Sequence, residues 1–372
     1  MIIALILIML FFQILSNGIL LQPLNITNLI QQNSYILVLA IGMVLVIITG
    51  HIDLSVGSVA AFVGAVAAIM MVHMDVPVWG AILVSLLIGA LIGAWQGFWI
   101  AYVGIPAFIV TLAGMLLFRG LTMVVLEGQS IAPFPASFHS ISAGFIPEFI
   151  SGGSGLQWTT ILAGIVLSLI LIWSELRLRR TQKRYNLAVT PMTLFIAKLV
   201  LLLAVLNGLM YILASYMGIP NILITLAVLI AFYTFITNRT VIGRHIYATG
   251  GNVKAAALSG VKTKRITFMV FVNMGVLSAL AGLIFAARLN AATPKAGNLF
   301  ELDAIAACFI GGASATGGVG TVIGAIIGGL VMGVMNNGMS LVGISIDWQQ
   351  AIKGLVLLLA VAFDFYIKNR SN

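Results

Sequence analysis

Long apolar runs alternate with short polar stretches along the whole chain. The alternating pattern of β-strands is absent from these runs, and about 20 apolar residues in a helix cross the ~30 Å hydrocarbon core of a bilayer. The pattern predicts an all-α fold, a polytopic transmembrane helical bundle of about twelve spans, with residues 1–372 as one domain. The tenth run is short enough for a half-helix or a re-entrant segment. The predicted spans are about 1–16, 34–50, 55–73, 77–102, 105–126, 157–174, 193–217, 220–237, 266–287, 300–313, 317–336 and 347–367.

Composition excludes the soluble classes of protein. Of 372 residues, 61% are hydrophobic and only 7% are charged, which no soluble globular domain matches. The single cysteine, Cys308, cannot form a disulfide within the chain. The first run, Met1–Leu15, has no basic segment before it and no small-residue cleavage site after it. It is therefore predicted to be a retained membrane helix and not a cleaved signal.

The net charge of +9 sits mostly in two loops. Segments 175–192 and 238–265 hold five and six Lys/Arg residues and follow the sixth and eighth spans. Two spans separate them, so both loops return to one side. Basic loops remain in the cytoplasm, so this side is predicted to be cytoplasmic, with both chain termini. The long connection 128–156 is then external.

The segment 238–265 contains no acid and is predicted to hold a short helix. Asn252 is a suitable N-cap, the three alanines at 255–257 favour helix, and Gly260 is suited to a left-handed end. A basic loop that only fixes membrane orientation is the alternative interpretation.

The external loop 128–156 is rich in Pro and Gly and nearly uncharged. It is predicted to be an ordered cap or a docking surface, with a plain connector as the alternative.

An internal repeat is also present. Residues 104–113 and 218–227 both begin Gly-Ile-Pro and agree at six of ten positions, a modest indication of transport, since transporters are often built from repeats. The span count places the two copies in opposite orientation.

Polar groups near the spans are few, and two places attract attention. Asp53 and Ser55 lie between the second and third spans, and Glu301 and Asp303 precede the Gly-rich segment 311–320. Ionisable residues near a membrane interior are costly, which makes the three acids candidates for translocation or gating, together with Ser55 beside Asp53. Helix capping or interfacial placement is the alternative for Asp53, Ser55 and Asp303, and helix packing for the Gly-rich segment.

Two basic residues, Arg119 and Lys198, lie in or near spans, where a structural ion pair or snorkelling to the interface is expected.

The chain has no phosphate-binding P-loop, no His-Glu-x-x-His, no cysteine cluster and no Gly-x-Ser-x-Gly. These absences predict that the chain is not an enzyme and binds no metal.

Five stretches resemble the permease subunits of bacterial ABC importers for monosaccharides, the branch for ribose, galactose and xylose. The resemblance covers nearly the whole chain in order, and the length between the outer loop and 238–265 is similar to that of xylose or multiple-monosaccharide permeases. The stretches are GHIDLSVGSV at 50–59, GIPAFIVTLA at 104–113, GRHIYATGGN at 243–252, AAALSGV at 255–261 and ELDAIAAC at 301–308.

The resemblance implies function and partners. It implies a homodimer in the bacterial inner membrane that translocates xylose or a related sugar, delivered by a periplasmic binding protein. A separate cytoplasmic ATPase would use ATP and Mg, and this chain would bind no cofactor and no nucleic acid. Segment 250–261 is implied to be the coupling helix seated in the ATPase. The implied coupling residues are Gly250, Gly251, Asn252, Ala255, Ala256, Ser259 and Gly260.

An ion-gradient-driven secondary sugar transporter is the alternative, in which Asp53, Glu301 and Asp303 would bind the ion. No dedicated acid lies in the middle of a span, which argues against it. A passive channel has no repeated filter in its favour. Neither the sugar nor the gate residues follow from the sequence.

Overall fold

The structure is a computed structural model that describes residues 2–149 and 155–371, with side chains described up to Ala362. Within these ranges the chain forms helices and no strands. The first eight helices are α1 (Ile2–Leu15), α2 (Pro23–Ile48), α3 (Val56–Ala68), α4 (Val78–Phe98), α5 (Ala107–Val125), α6 (Ala136–Ala143), α7 (Trp158–Arg184) and α8 (Met192–Ala214). The others are α9 (Asn221–Arg239), α10 (Val241–Gly251), α11 (Val253–Leu258), α12 (Thr263–Leu289), α13 (Phe300–Ile310), α14 (Val322–Leu341) and α15 (Ile346–Ser371).

The predicted fold class is confirmed. In the described part of the chain, nine helical segments are long and apolar enough to cross a membrane. They are α2, α3, α4, α5, α7, α8, α9, α12 and α14, where α3 and α4 are extended by π-helical turns at Ile69–His73 and Trp99–Val103. The remaining three predicted runs are α1, α13 and α15. The tenth run is the short helix α13, with only 11 residues.

The chain divides into two compact units. The larger one, unit 1, contains Met1–Leu20, Leu29–Gly144 and Ile222–Asn372, and the smaller one, unit 2, contains Leu21–Asn28 and Phe145–Asn221. In unit 2, α7 packs against α8, and Lys198 pairs with Glu175 at 2.8 Å. That contact confirms the structural ion pair expected for Lys198.

In unit 1, α12 is the central helix, and small residues let its neighbours approach closely. Gly89 and Gly93 of α4 face the α12 backbone at Gly275 and Phe271, and Gly282 of α12 faces Ala60 of α3. A Cβ atom at any of these glycines would overlap a carbonyl oxygen of the other helix. Apolar helices in lipid gain no hydrophobic energy from association, so close van der Waals packing has to hold them together.

Pairs of neighbouring residues establish the helix directions in unit 1. Ala60 of α3 lies beside Gly282 and Gly64 lies beside Ala286, so α3 and α12 run the same way, whereas the contacts of Gly89 and Gly93 show that α4 runs against α12. Gly324 and Gly328 of α14 face Gly311 and Ala307, so α14 runs against α13. α5 begins within the first copy of the repeat, at the end of unit 1 where α12 also begins. α9 begins within the second copy and finishes at that same end of unit 1, just before α10. The two helices therefore run in opposite directions, as the span count predicted.

Three predicted loops contain more helix than expected. Residues 175–184 continue α7, because Lys and Arg favour helix and Arg179 stacks on Phe195 of α8. Only 185–191 connects α7 to α8. The loop 128–156, which was predicted to be external, contains α6, whose Phe138 is buried beside the end of α12, so its described part within unit 1 is an ordered cap. Residues 150–154 of that loop lie outside the described residues. The segment 238–265 contains α10 in addition to the predicted short helix.

We expect Gly93→Ala to destabilise the protein, because the added methyl would overlap the Phe271 carbonyl of α12. Overpacking of this kind costs about 1–3 kcal/mol, so the melting temperature of the purified protein in detergent should fall clearly. The control is Gly120→Ala, since Gly120 is an exposed glycine of α5 with open space around its Cα. The control should melt at or above the wild-type temperature, because Ala favours helix over Gly by about 1 kcal/mol. Equal melting temperatures for the two variants would contradict the close α4–α12 packing.

Candidate functional site

The short helix α11 forms as the sequence predicted. The backbone N–H of Ala255 donates a hydrogen bond of 2.9 Å to Oδ1 of Asn252, which is the predicted N-cap. Gly260 ends the segment in the left-handed conformation, with φ of +85°. A helix of six residues is too short to be stable alone in water, so its contacts with the rest of unit 1 must hold it.

The preceding helix, α10, attaches α11 to two other parts of unit 1. A Cβ atom at Gly250 would overlap the carbonyl of Ile48, the last residue of α2. The Tyr247 hydroxyl donates a 2.7 Å hydrogen bond to the carbonyl of Gly320, in the Gly-rich connector between α13 and α14. Gly318 of the same connector donates from its N–H to the Ile48 carbonyl at 2.8 Å. The end of α10, the end of α2 and the connector 311–321 therefore form one closely packed junction.

The exposed face of α11 differs from the predicted set of coupling residues. Ala256 is 5% exposed and faces the chain itself, so it anchors the helix. The other predicted residues after α10 are exposed, namely Asn252, Ala255, Ser259 and Gly260, as is Gly251. The most prominent group is Leu258, which is 91% exposed, followed by Val253 at 53%. Sequence reasoning missed both, although a lone leucine in a helix of small and polar residues is a usable signal.

A second cluster surrounds Asp53 in the connector 49–55, between α2 and α3. Asp53 is 2% exposed, and its Oδ1 accepts from the Ser55 hydroxyl at 2.6 Å and from the Ser55 N–H at 2.8 Å. Gln96 of α4 donates from Nε2 to the Ser55 hydroxyl at 2.8 Å. Ser55 occupies the N-cap position of α3, but its side chain makes no capping bond. The cluster is thus a buried polar network. Gln96 lies within a long apolar run, and the sequence analysis did not identify it as a site residue.

The pKa of Asp53 responds to this environment. Burial raises it from 3.8 to about 6, while the two hydrogen bonds from Ser55 act in the opposite direction. The neighbouring His51 has its pKa lowered by burial. Both changes favour the uncharged form, because a charge loses its hydration in a buried site.

The third cluster lies at the start of α13. Arg119 of α5 donates from Nη1 to the Ala296 carbonyl at 2.7 Å and from Nη2 to the Gly297 carbonyl at 3.1 Å. Arg119 therefore provides hydrogen-bond donors for two carbonyls of the irregular backbone before α13. Its side chain does not extend to the membrane interface, as the alternative of snorkelling would require. Oε2 of Glu301 is buried beside Gly57 of α3 and has no hydrogen-bond partner among the described residues.

Asp303 lies on the other side of α13 from Glu301. It forms an ion pair with Lys353 of α15, whose Nζ lies 2.9 Å from Oδ1 and 3.2 Å from Oδ2. The first turn of α13 has no side-chain capping bond, so the capping role considered for Asp303 is not what the structure shows. Lys353 was not predicted. Of the four residues predicted for translocation or gating, Asp53 and Ser55 thus lie together in one cluster. Glu301 and Asp303 lie on opposite sides of α13.

Across residues 2–149 and 155–371, no group of three or more His, Cys, Asp or Glu side chains could hold a metal ion. Many apolar helices, close small-residue packing and buried charges beside interrupted helices together define a multi-pass membrane protein of the transporter class.

Comparison with known proteins gives the family. Residues 25–361 match the family described as branched-chain amino acid transport system / permease component, and the chain belongs to this family. It is therefore a permease component and not an enzyme, as predicted.

The curated relatives include sugar permeases, which confirms the predicted resemblance. The chain is 42% identical to the xylose transport system permease protein XylH of Haemophilus influenzae over 98% of this chain and 95% of that protein. It is 41% identical to XylH of Escherichia coli over 100% of this chain and 92% of that protein. The ribose import permease protein RbsC of Bacillus subtilis is 36% identical over 92% and 85%. No solved structure matches the chain.

We expect Asp53 to make the stability of this protein depend on pH. Its pKa in the folded state, about 6, lies above the ordinary value of 3.8, so its stabilising contribution is complete below the ordinary value and is lost as the pH rises through about 6. The melting temperature of the wild type should therefore fall between about pH 4 and pH 6 relative to that of Asp53→Asn, and the difference should be level above that range.

The control for this measurement is Asp75→Asn, which changes an exposed acid and should keep the wild-type dependence on pH. His51, which is half-buried, acts with the opposite sign and is present in all three proteins, so the difference between variants isolates Asp53. Parallel curves for wild type and Asp53→Asn would contradict the assignment.

Proposed function

We propose that this chain is the permease subunit of an ATP-driven ABC importer for a monosaccharide, xylose or a related pentose. The observation that carries the proposal is the exposed, capped helix α11, anchored by Ala256 and attached through α10 to the interior of unit 1. Such a helix has no evident use in a carrier that works alone. It suits a permease that receives force from a cytoplasmic partner.

Sugar is favoured over amino acid as the class of substrate. The family description names branched-chain amino acids, whereas the xylose permeases share 41–42% identity with this chain over nearly its whole length. The ribose permease is more distant, at 36%. The proposal therefore takes xylose first and ribose second.

The proposed partners follow from this function. A cytoplasmic ABC ATPase would bind α11 and use ATP and Mg, and a periplasmic binding protein would deliver the sugar to the external loops. A second copy of this chain would complete the permease in the bacterial inner membrane. Segments 175–192 and 238–265 and both termini would face the cytoplasm, in keeping with their positive charge.

Leu258 is the proposed centre of the ATPase contact. Full burial of a leucine contributes about 1.5–3 kcal/mol, and such anchors dominate interfaces when they fill a pocket. Lys254 and the basic residues around α11 would surround it with positive charge, which suits an acidic rim on the partner.

The mechanism proposed is alternating access driven by movement of α11. When ATP closes the ATPase, α11 would move with it, and α10 would carry the displacement to the end of α2 and to the connector 311–321. ATP can shift the permease only if the closed ATPase has different affinities for the two permease states.

The test of this function is reconstitution into liposomes with the cognate ATPase and sugar-binding protein. We expect ATP-dependent uptake of labelled D-xylose that unlabelled L-leucine does not inhibit. Uptake by the chain alone, driven by a proton or sodium gradient, would support the secondary transporter instead. Inhibition by L-leucine with no uptake of xylose or ribose would move the substrate to the amino-acid class.

We expect Leu258→Asp to lose most of its binding to the ATPase and to reduce ATP-dependent uptake by at least about tenfold, the loss that about 1.4 kcal/mol produces. The reason is that a charged group would replace the proposed apolar anchor. Co-purification of the two subunits and uptake in liposomes measure the effect.

The matched control is Met74→Asp. Met74 is also a strongly exposed apolar residue, but it lies after the end of α3, at the opposite end of unit 1 from α11. It should retain the ATPase. Loss of the ATPase in both variants, or in neither, would rule out Leu258 as the anchor.

A further inference from the structure

The two acids at the start of α13 have different surroundings because they are two residues apart, and two residues turn a helix by about 200°. Glu301 is directed to α3, and Asp303 is directed to α15, where Lys353 approaches both of its carboxylate oxygens. The side chain of Asp303 is 6% exposed, and that of Lys353 is 23% exposed. This pair therefore lies mostly within an apolar helix bundle.

Stability alone does not account for the pair. A buried ion pair commonly stabilises a protein no more than apolar side chains of similar volume, because both charges lose their hydration. Charged residues within apolar helical segments are rare for the same reason and tend to line pathways for substrates. The Asp303–Lys353 pair is consequently a candidate for a role beyond holding α15 against α13.

A cavity of about 260 Å³ lies beside this pair, between α13, α14 and α15. Its apolar wall includes Leu302, Ala306, Met332 and Leu357, and its polar groups are Asp303, Lys353 and Gln350. Small-molecule sites have this composition, a mostly apolar wall with a few converging polar groups. Their usual volume is about 300–1,000 Å³, so this cavity suits one small ligand and not a large one.

The chemistry of the polar groups indicates the class of ligand. Asp303 offers acceptors, Lys353 offers donors, and the amide of Gln350 offers both. The charges of Asp303 and Lys353 balance each other, so an anionic or cationic ligand would have to break the pair. A neutral molecule with several hydroxyl groups can donate to Asp303 and accept from Lys353 while the pair stays intact.

We propose that this cavity is a monosaccharide-binding site of the permease, in which Asp303, Lys353 and Gln350 bind sugar hydroxyls and the leucines contact the C–H face of the ring. The proposal rests on the proposed sugar-import function and gives it a site within the chain. A weak site of this kind would hold the sugar between its release outside and its exit to the cytoplasm.

The first test measures whether sugar protects a cysteine in the cavity wall. Leu302, which lines the cavity and is 40% exposed, is changed to Cys in a Cys308→Ala background, and labelling by a small maleimide is followed in the purified full-length protein. Millimolar D-xylose should slow labelling of Leu302→Cys severalfold, and L-leucine should not. The control is Leu258→Cys in the same background, whose labelling D-xylose should leave unchanged.

Three results for Leu302→Cys itself would overturn the proposal. They are no labelling of Leu302→Cys at all, equal labelling with and without D-xylose, and protection by L-leucine in place of D-xylose. Slower labelling of both cysteines by D-xylose would show a general effect of the sugar and would equally count against the site.

The second test separates a sugar site from a structural pair. The double variant Asp303→Asn, Lys353→Met removes both charges without leaving one unpaired, so it should fold and still co-purify with the ATPase. ATP-dependent uptake of D-xylose should nevertheless fall at least about tenfold. The matched control is Glu175→Gln, Lys198→Met, which removes the ion pair between α7 and α8 and should leave uptake unchanged.

Full uptake by the double variant would show that the pair is only structural. The wild type distinguishes the two proposals. If wild-type protein with its partners imports D-xylose but the Asp303–Lys353 variant does so equally well, the cavity assignment fails alone. If the wild type imports no sugar, the proposed function fails.

Discussion

Close backbone contact between small residues is the interaction on which unit 1 depends. Helices surrounded by lipid gain little from burying apolar side chains, so their association relies on van der Waals contact at short range. Gly93 against Phe271, Gly282 against Ala60 and Gly328 against Ala307 are contacts of this kind, and each excludes a Cβ atom. The same type of contact, at Gly250 against Ile48, attaches α10 to α2. The packing that builds the bundle therefore also joins the exposed helix to it.

This dense packing makes interrupted helices possible. Irregular backbone within a membrane protein is tolerated where the surrounding protein satisfies its polar groups. Arg119 donates to two carbonyls of the connector before α13, and Asp53, Ser55 and Gln96 form a network at the connector before α3. Each connector thus receives hydrogen bonds from one polar side chain of another helix, Arg119 or Gln96, and both connectors precede a helix that begins inside unit 1. Interruptions of this kind are common beside substrate pathways in transporters.

The sequence was sufficient to predict the order of the apolar helices, because long apolar runs have few alternative structures. It also predicted the cap at Asn252, since capping is a local property. It did not predict α10 or the anchoring role of Ala256, because the face that a short helix presents depends on contacts distant in the chain. Gln96 and Lys353 were missed for a related reason. Gln96 is a single polar residue in an apolar run, and Lys353 follows the polar first turn of α15. Their partners lie 41 and 50 residues away in the chain.

The junction at Ile48, Gly250 and Gly320 would transmit a displacement of α10 to two connectors of the permease. Ile48 ends α2 and leads directly into the connector that holds Asp53, while Gly320 belongs to the connector that follows α13. A displacement of α10 therefore meets both interrupted segments at once. A tightly packed, glycine-mediated contact has little freedom to absorb such a displacement, since any shift would bring backbone atoms into overlap. The two segments should then move together with α10, which is what a permease with a single opening step requires.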